Sequence, residues 1–164
     1  MNKRDVMEYD VLVVGGDPSG LSAAIRIKQL AKKETKDISV CLVEKGIEVG
    51  SHILSGAVID TVALDELIPN WKEKSAPLHT KVKKDTFNLF SEKGYLTIPQ
   101  IVMPPLMSNK DNYIASLGEL SNWLSKEAED LGIEIYPGFT AQEPLFNDQN
   151  PVSYTHLRAH ETES

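Results

Sequence analysis

The stretch Tyr9–Lys45, YDVLVVGGDPSGLSAAIRIKQLAKKETKDISVCLVEK, decides the fold. Tyr9–Val14 is apolar and β-branched, the pattern of a strand buried on both faces. The turn Gly15-Gly16-Asp17-Pro18-Ser19-Gly20 follows. Leu21–Lys33 comes next, with Leu21, Ala24, Ile25, Lys28 and Ala31 at helical spacing. Ile38–Val43 is a second apolar strand, and it ends on Glu44. Strand, glycine turn, helix, strand and acid, in that order, predict a dinucleotide-binding βαβ unit within an α/β, Rossmann-like fold. The competing reading is an unrelated turn that merely precedes a helix.

Each part of the unit has a physical task. Gly15 permits the tight turn out of the strand, and Gly20 lets helix and sheet approach closely. Backbone N–H groups at the helix start, with the positive end of its dipole, suit a pyrophosphate. Glu44, at the end of the second strand, is placed to accept hydrogen bonds from ribose hydroxyls. Asp17 departs from the pattern, which wants glycine where the backbone comes nearest the pyrophosphate. Its side chain takes up ligand space and its charge repels an anion, so weakened cofactor binding is expected. Asp is also a good helix N-cap, a role that needs no ligand.

Composition narrows the class. At 164 residues the chain is the size of one domain, and 41% hydrophobic with 25% charged residues is ordinary for a globular protein. Lys and Arg number 17 against 24 Asp and Glu, a net charge of -7 that argues against a nucleic-acid binder. Cys41 stands alone, which excludes an internal disulfide and an all-cysteine metal site. No apolar run approaches the roughly 20 residues of a spanning helix. Met1–Asp10 has the character of neither a signal nor a transit peptide, so an intracellular, reducing compartment is expected.

Further along, Phe87–Phe90 and Tyr95–Ile98, joined by Ser91-Glu92-Lys93-Gly94, predict an inserted β-hairpin. Met103–Met107, with adjacent prolines, is expected to be neither helix nor central strand, crossing the surface or lining a cleft. Ser116–Leu131 predicts a helix closed by Gly132, and Ile133–Tyr136 another strand. His79 is expected in a solvated loop, and Cys41 as a small core residue. Glu143–Phe146 reads as a strand, and Asn147–Asn150 as a turn, with no native returning strand expected after it. Val152–Thr162, VSYTHLRAHET, resembles the translated read-through of a transposon-type sequencing adapter. The expected division is therefore 1–150 as the N-terminal part of a cofactor-binding domain and 151–164 as a non-native or disordered tail. Loss of neighbours is expected to leave the third strand with an open edge and uncovered apolar surface.

DVLVVGGDPSGLSAAIRIKQLA and DISVCLVEKGIEVGSHILSGAVID resemble the N-terminus of the electron transfer flavoprotein-ubiquinone oxidoreductase family. The resemblance continues through LDELIPNWKEKSAPL and MPPLMSNKDNYIASLGELSNWLSKEAEDLGIEIYPGF, covering Tyr9 to about Asn150. It implies a truncated FAD/NAD(P)-binding Rossmann-like domain of a membrane-associated enzyme, an electron-transferring-flavoprotein dehydrogenase. In that family FAD and a 4Fe-4S cluster carry electrons from reduced electron transfer flavoprotein to ubiquinone.

By the same resemblance Gly15, Gly16, Asp17, Ser19, Gly20, Glu44 and Lys45 lie along the adenosine and pyrophosphate of FAD. Ser51, His52 and the Leu54-Ser55-Gly56 turn lie nearer the flavin. The family's cluster cysteines fall beyond this chain, and nothing in 1–150 is expected to be catalytic. Val49–Asn70, followed by Trp71, either touches a membrane or packs on the sheet. A location on the cytoplasmic face of a bacterial inner membrane is implied, or the mitochondrial inner membrane in eukaryotic relatives. The alternatives are a fragment of a related flavoprotein, geranylgeranyl-reductase-like or a nitrogen-fixation-type dehydrogenase, or a non-functional truncated chain.

Overall fold

The computed structural model describes residues 7–104, 107–147 and 150–158. In chain order the elements are β1 (Val11–Val14), α1 (Pro18–Lys33), β2 (Val40–Glu44), β3 (Gly56–Ile59) and α2 (Val62–Leu67). Then come β4 (Thr80–Lys81), β5 (Phe87–Ser91), β6 (Gly94–Ile98), a 3₁₀ turn (Gln100–Val102) and β7 (Tyr113–Ser116). The last described elements are α3 (Leu117–Asp130), β8 (Glu134–Pro137), β9 (Phe139–Asn147) and β10 (Asn150–Arg158). They form two compact units, Met1–Ser55 with Leu117–Ser164, and Gly56–Ser116.

The first unit is built on a parallel sheet of order β1-β2-β8. Val11 pairs with Val40 and Val14 with Val43, while Cys41 pairs with Glu134 and Glu44 with Pro137. Val40, Cys41, Leu42 and Val43 are all buried, as a central parallel strand requires. Leu21, Ala24 and Ile25 of α1 and Leu120, Leu124 and Ala128 of α3 complete the core. Cys41 is one of its members, and burial with the nearby Glu134 charge pushes its thiol up to about 11. Across the sheet, the Tyr9 and Tyr136 hydroxyls both donate to Glu134 Oε2, each at 2.6 Å.

Helix ends follow local chemistry. α1 begins at Pro18, three residues before the apolar periodicity starts, because Asp17 caps it and proline suits the first helical position. The Asp17 side chain accepts from Gly20 N at 3.1 Å and from Ser19 Oγ at 2.8 Å. The Gly20 amide is the main reason its carboxyl sits below the usual range. Gly132 closes α3 at φ +78°, with Gly132 N bonded to Glu129 O and Ile133 N to Ala128 O. α1 ends the same way, Thr35 N on Lys32 O and Lys36 N on Ala31 O, but there the left-handed residue is Thr35 at φ 56°.

One expectation about the end of the sequence needs correction. A returning strand is present: β10 runs antiparallel to β9, from Asn150 opposite Asn147 to Arg158 opposite Phe139, with two register shifts. The tail from 151, expected to be non-native or disordered, is a strand as far as Arg158, and Val152-Ser153-Tyr154-Thr155 has strand propensity. Residues 148–149, within the expected turn, and 159–164 lie outside the described residues. The third strand, β8, is an open edge of the sheet as expected, but the exposed large apolar residues lie on the other edge, β1. β1 is an edge strand, and Val14 on it is 63% exposed.

The second unit holds an antiparallel sheet of order β3-β7-β4 and, separately, the hairpin β5–β6. That hairpin pairs Phe87 with Ile98, as the sequence predicts, and extends one residue into the expected loop on each side, with Ser91 opposite Gly94. Leu64, Ile68, Trp71, Ala76, Leu78 and Ala115 are the buried apolar residues of the second unit. Trp71 is only 3% exposed, and its Nε1 donates to Asp65 Oδ1 at 2.6 Å. Within Val49–Asn70, then, Val49, Leu64 and Ile68 are core residues, whereas Leu54 is 96% exposed. His79 is exposed in a loop, as expected. Of the proline-rich linker, Met103, Pro104 and Met107 are described and 105–106 are not.

Three substitutions check this packing. Leu42→Ala should cost about 2–5 kcal/mol in denaturant unfolding, as for other buried leucines, and a smaller loss would contradict a close-packed β2. Thr35→Gly should stabilise by about 1 kcal/mol, by relieving a left-handed non-glycine residue. Asp17→Ala should cost about 1 kcal/mol at pH 7. Because the folded carboxyl titrates below its unfolded value, that contribution is present above about pH 3.9 and is lost as pH falls through the folded value. A difference between Asp17→Ala and the parent that persists well below that pH would contradict the charged cap.

Candidate functional site

The glycine turn is set by close contacts. Gly15 has φ +104°, which a side chain would strain, and its N–H donates to Val43 O at 2.8 Å. A Cβ on Gly20 would lie 2.1 Å from the Gly15 carbonyl oxygen, so only glycine lets α1 sit this close to the turn. Both tasks assigned to these glycines from sequence are met.

At the far side of the turn, Glu44 ends β2 beside Gly16. Its Oε2 accepts from Gly16 N at 2.7 Å and its Oε1 from Gly46 N at 2.7 Å. A carboxylate gripped by two backbone amides in this way has a fixed direction. It lines a cleft of about 280 Å³. Gly15, Gly16, Asp17, Lys45 and His52 border the same cleft.

The structure therefore gathers six of the ten residues expected at a cofactor. Ser19 and Gly20 sit one step away in the first turn of α1, tied to the Asp17 carboxylate. Ser55 and Gly56 do not border the cleft: the Ser55 carbonyl accepts from Leu117 N, and Gly56 opens β3 in the second unit. Ser51 is spent locally, its hydroxyl donating to Glu48 O at 2.7 Å.

Sequence reasoning missed the opposite wall, Phe139, Thr140 and Ala141 at the start of β9. Gly138 brings them there, at φ +78° and with its N–H on Gly46 O at 2.8 Å. A Pro-Gly pair directly after a strand was the available signal. Gly50 was missed as well: at φ +86°, a Cβ on it would meet Gly118 O at 2.4 Å, so this glycine lets the loop lie against α3. Among the described residues no group of three or more His, Cys, Asp or Glu is placed to hold a metal ion. Nor is any described helix long and apolar enough to cross a membrane.

No family model matches the chain. Among curated proteins it is 56% identical over 149 residues to the mitochondrial electron transfer flavoprotein-ubiquinone oxidoreductase of Dictyostelium discoideum, covering 91% of this chain and 24% of that protein. It is 52% identical over 151 residues to the Pseudomonas aeruginosa protein of the same name, covering 92% of this chain and 27% of that one.

Among solved structures, a geranylgeranyl bacteriochlorophyll reductase-like protein of Thermoplasma acidophilum aligns with a TM-score of 0.62 at 17% identity, over 92% of this chain and 37% of that one. A myxobacterial chondrochloren halogenase, described as a variant of FAD-dependent halogenases, gives 0.63 at 17% identity, over 92% and 33%. These likenesses carry the fold alone: an α/β, Rossmann-like domain of the kind found in FAD-dependent enzymes. The chain spans about a quarter of the curated relatives it matches. Over nine-tenths of its length it is a homologue of one segment of electron transfer flavoprotein-ubiquinone oxidoreductase.

Proposed function

We propose that this chain is the adenosine-binding part of the flavin domain of an enzyme that passes electrons from reduced electron transfer flavoprotein to ubiquinone. The observation that carries the reading is Glu44, held by Gly16 N and Gly46 N at the mouth of the glycine turn. A carboxylate has about four lone-pair sites, so two remain for the two hydroxyls of a ribose. Val14, Val43 and Phe139 give the nucleoside an apolar wall, and Lys45 brings a positive charge to the same cleft. His52, Ser55 and Gly56 are assigned toward the flavin on resemblance alone. FAD, when bound, supplies the redox relay, and the protein supplies position and electrostatics.

The fit is good on the nucleoside side and poor on the phosphate side. Asp17 puts a carboxylate where an anion should go. In this reading the 4Fe-4S ligands belong to the three-quarters of the relatives that the chain does not span, and the chain by itself is inactive. A membrane surface is a further partner. Phe90, Tyr95 and Leu96 of the β5–β6 hairpin, at 74%, 68% and 65% exposed, offer it apolar area, as do Leu54 and Val62 within Val49–Asn70, at 96% and 60%. A bacterial parent would then work at the cytoplasmic face of the inner membrane.

A chimera tests the reading. Residues 9–147 of this chain, with Asp17→Gly, replace the matching segment of the Pseudomonas aeruginosa relative. The purified chimera should retain flavin and reduce quinone with reduced electron transfer flavoprotein as donor. Adding Glu44→Ala should lower flavin affinity about tenfold or more, the worth of hydrogen bonds to a charged group. Equal flavin retention and turnover in the two chimeras would overturn the role given to Glu44.

A further inference from the structure

The phosphate side of the cleft is already filled from within the chain. Asp17 Oδ1 takes the Gly20 N–H at 3.1 Å and the Ser19 hydroxyl at 2.8 Å. Glu44 Oε2 takes the Gly16 N–H at 2.7 Å. These are the donors that the start of α1 would otherwise present to a phosphate. Asp17 remains charged at neutral pH, since the Gly20 amide and the Ser19 hydroxyl both favour its ionised form. An incoming phosphate therefore meets a fixed negative charge and finds fewer free donors.

The nucleoside side differs in both respects. Glu44 keeps lone pairs free after bonding Gly16 and Gly46, and the wall from Val14 to Phe139 is apolar. The cleft, at about 280 Å³, stands at the foot of the roughly 300–1,000 Å³ range of small-molecule sites. That is room for a nucleoside.

We infer that Asp17 serves as a built-in substitute for the pyrophosphate, so that the cleft of this chain selects an uncharged nucleoside over its phosphorylated forms. The inference rests on the nucleotide-site reading above and deepens it. Charge and donor occupancy act in the same direction, because Asp17 both repels a phosphate and holds the amide the phosphate would use. Asn at this position is as good a cap as Asp and carries no charge, whereas Gly gives back both the amide and the space.

Calorimetric titration of the full chain with adenosine and with ADP, in low-salt buffer without divalent cations, tests this. The parent, Asp17→Asn and Asp17→Gly are compared after circular dichroism confirms that each is folded. The parent should bind adenosine about tenfold or more tightly than ADP, the scale of one lost charge-assisted hydrogen bond. The ratio should fall in Asp17→Asn and invert in Asp17→Gly. Equal binding of ADP and adenosine by the parent, or a ratio unchanged in both variants, would overturn the inference and leave the nucleotide site standing. Absence of binding of either ligand to all three folded proteins would overturn the site and the inference together.

Discussion

The cleft depends on the two hydrogen bonds that fix Glu44. One oxygen holds the amide of Gly16 and the other that of Gly46, each at 2.7 Å, so a single carboxylate ties the glycine turn to the loop after β2. Gly46 in turn gives its carbonyl to Gly138 N, which positions the β9 wall. The glycine turn, the loop after β2 and the start of β9 are thus brought to one place by one side chain and one backbone bond. The turn it grips is rigid because Gly20 lets α1 lie against Gly15, where any Cβ would stand 2.1 Å from the carbonyl oxygen. A larger residue at 20 would displace the helix, and the amides facing the cleft would move with it.

Asp17 shows stability and binding in conflict at one residue. As a cap it satisfies a helix-start donor and stabilises α1. In the proposed reading, its charge in the same position faces the region a pyrophosphate would require. Glycine there would leave the helix less well capped and the anion site open. The sequence has the carboxylate, and the hydrogen bonds to Ser19 and Gly20 show it engaged with the helix.

Much of this was legible in the order of residues, for identifiable reasons. Parallel central strands are apolar throughout, so VCLV announced β2, and the acid ending it announced the cleft. The helix start at Pro18 was missed because proline and serine carry no apolar periodicity, although capping rules favour them there. β3, β4 and β7 pair across long separations, and β4 is only two residues long, so local pattern could not reveal them. The β9 wall escaped notice because its place depends on Gly138 and a backbone bond to Gly46. The strand β10 was discounted from the resemblance of its sequence to an adapter, but strand pairing depends on propensity and turn geometry, not on origin.

The most direct measurement is amide chemical-shift mapping of the isotopically labelled chain during titration with adenosine. A ribose taken by Glu44 must perturb the two amides bonded to that carboxylate, so Gly16 and Gly46 should shift most, with Phe139–Ala141 following on the facing wall. Saturable shifts confined to other residues, with Gly16 and Gly46 unmoved, would contradict the account.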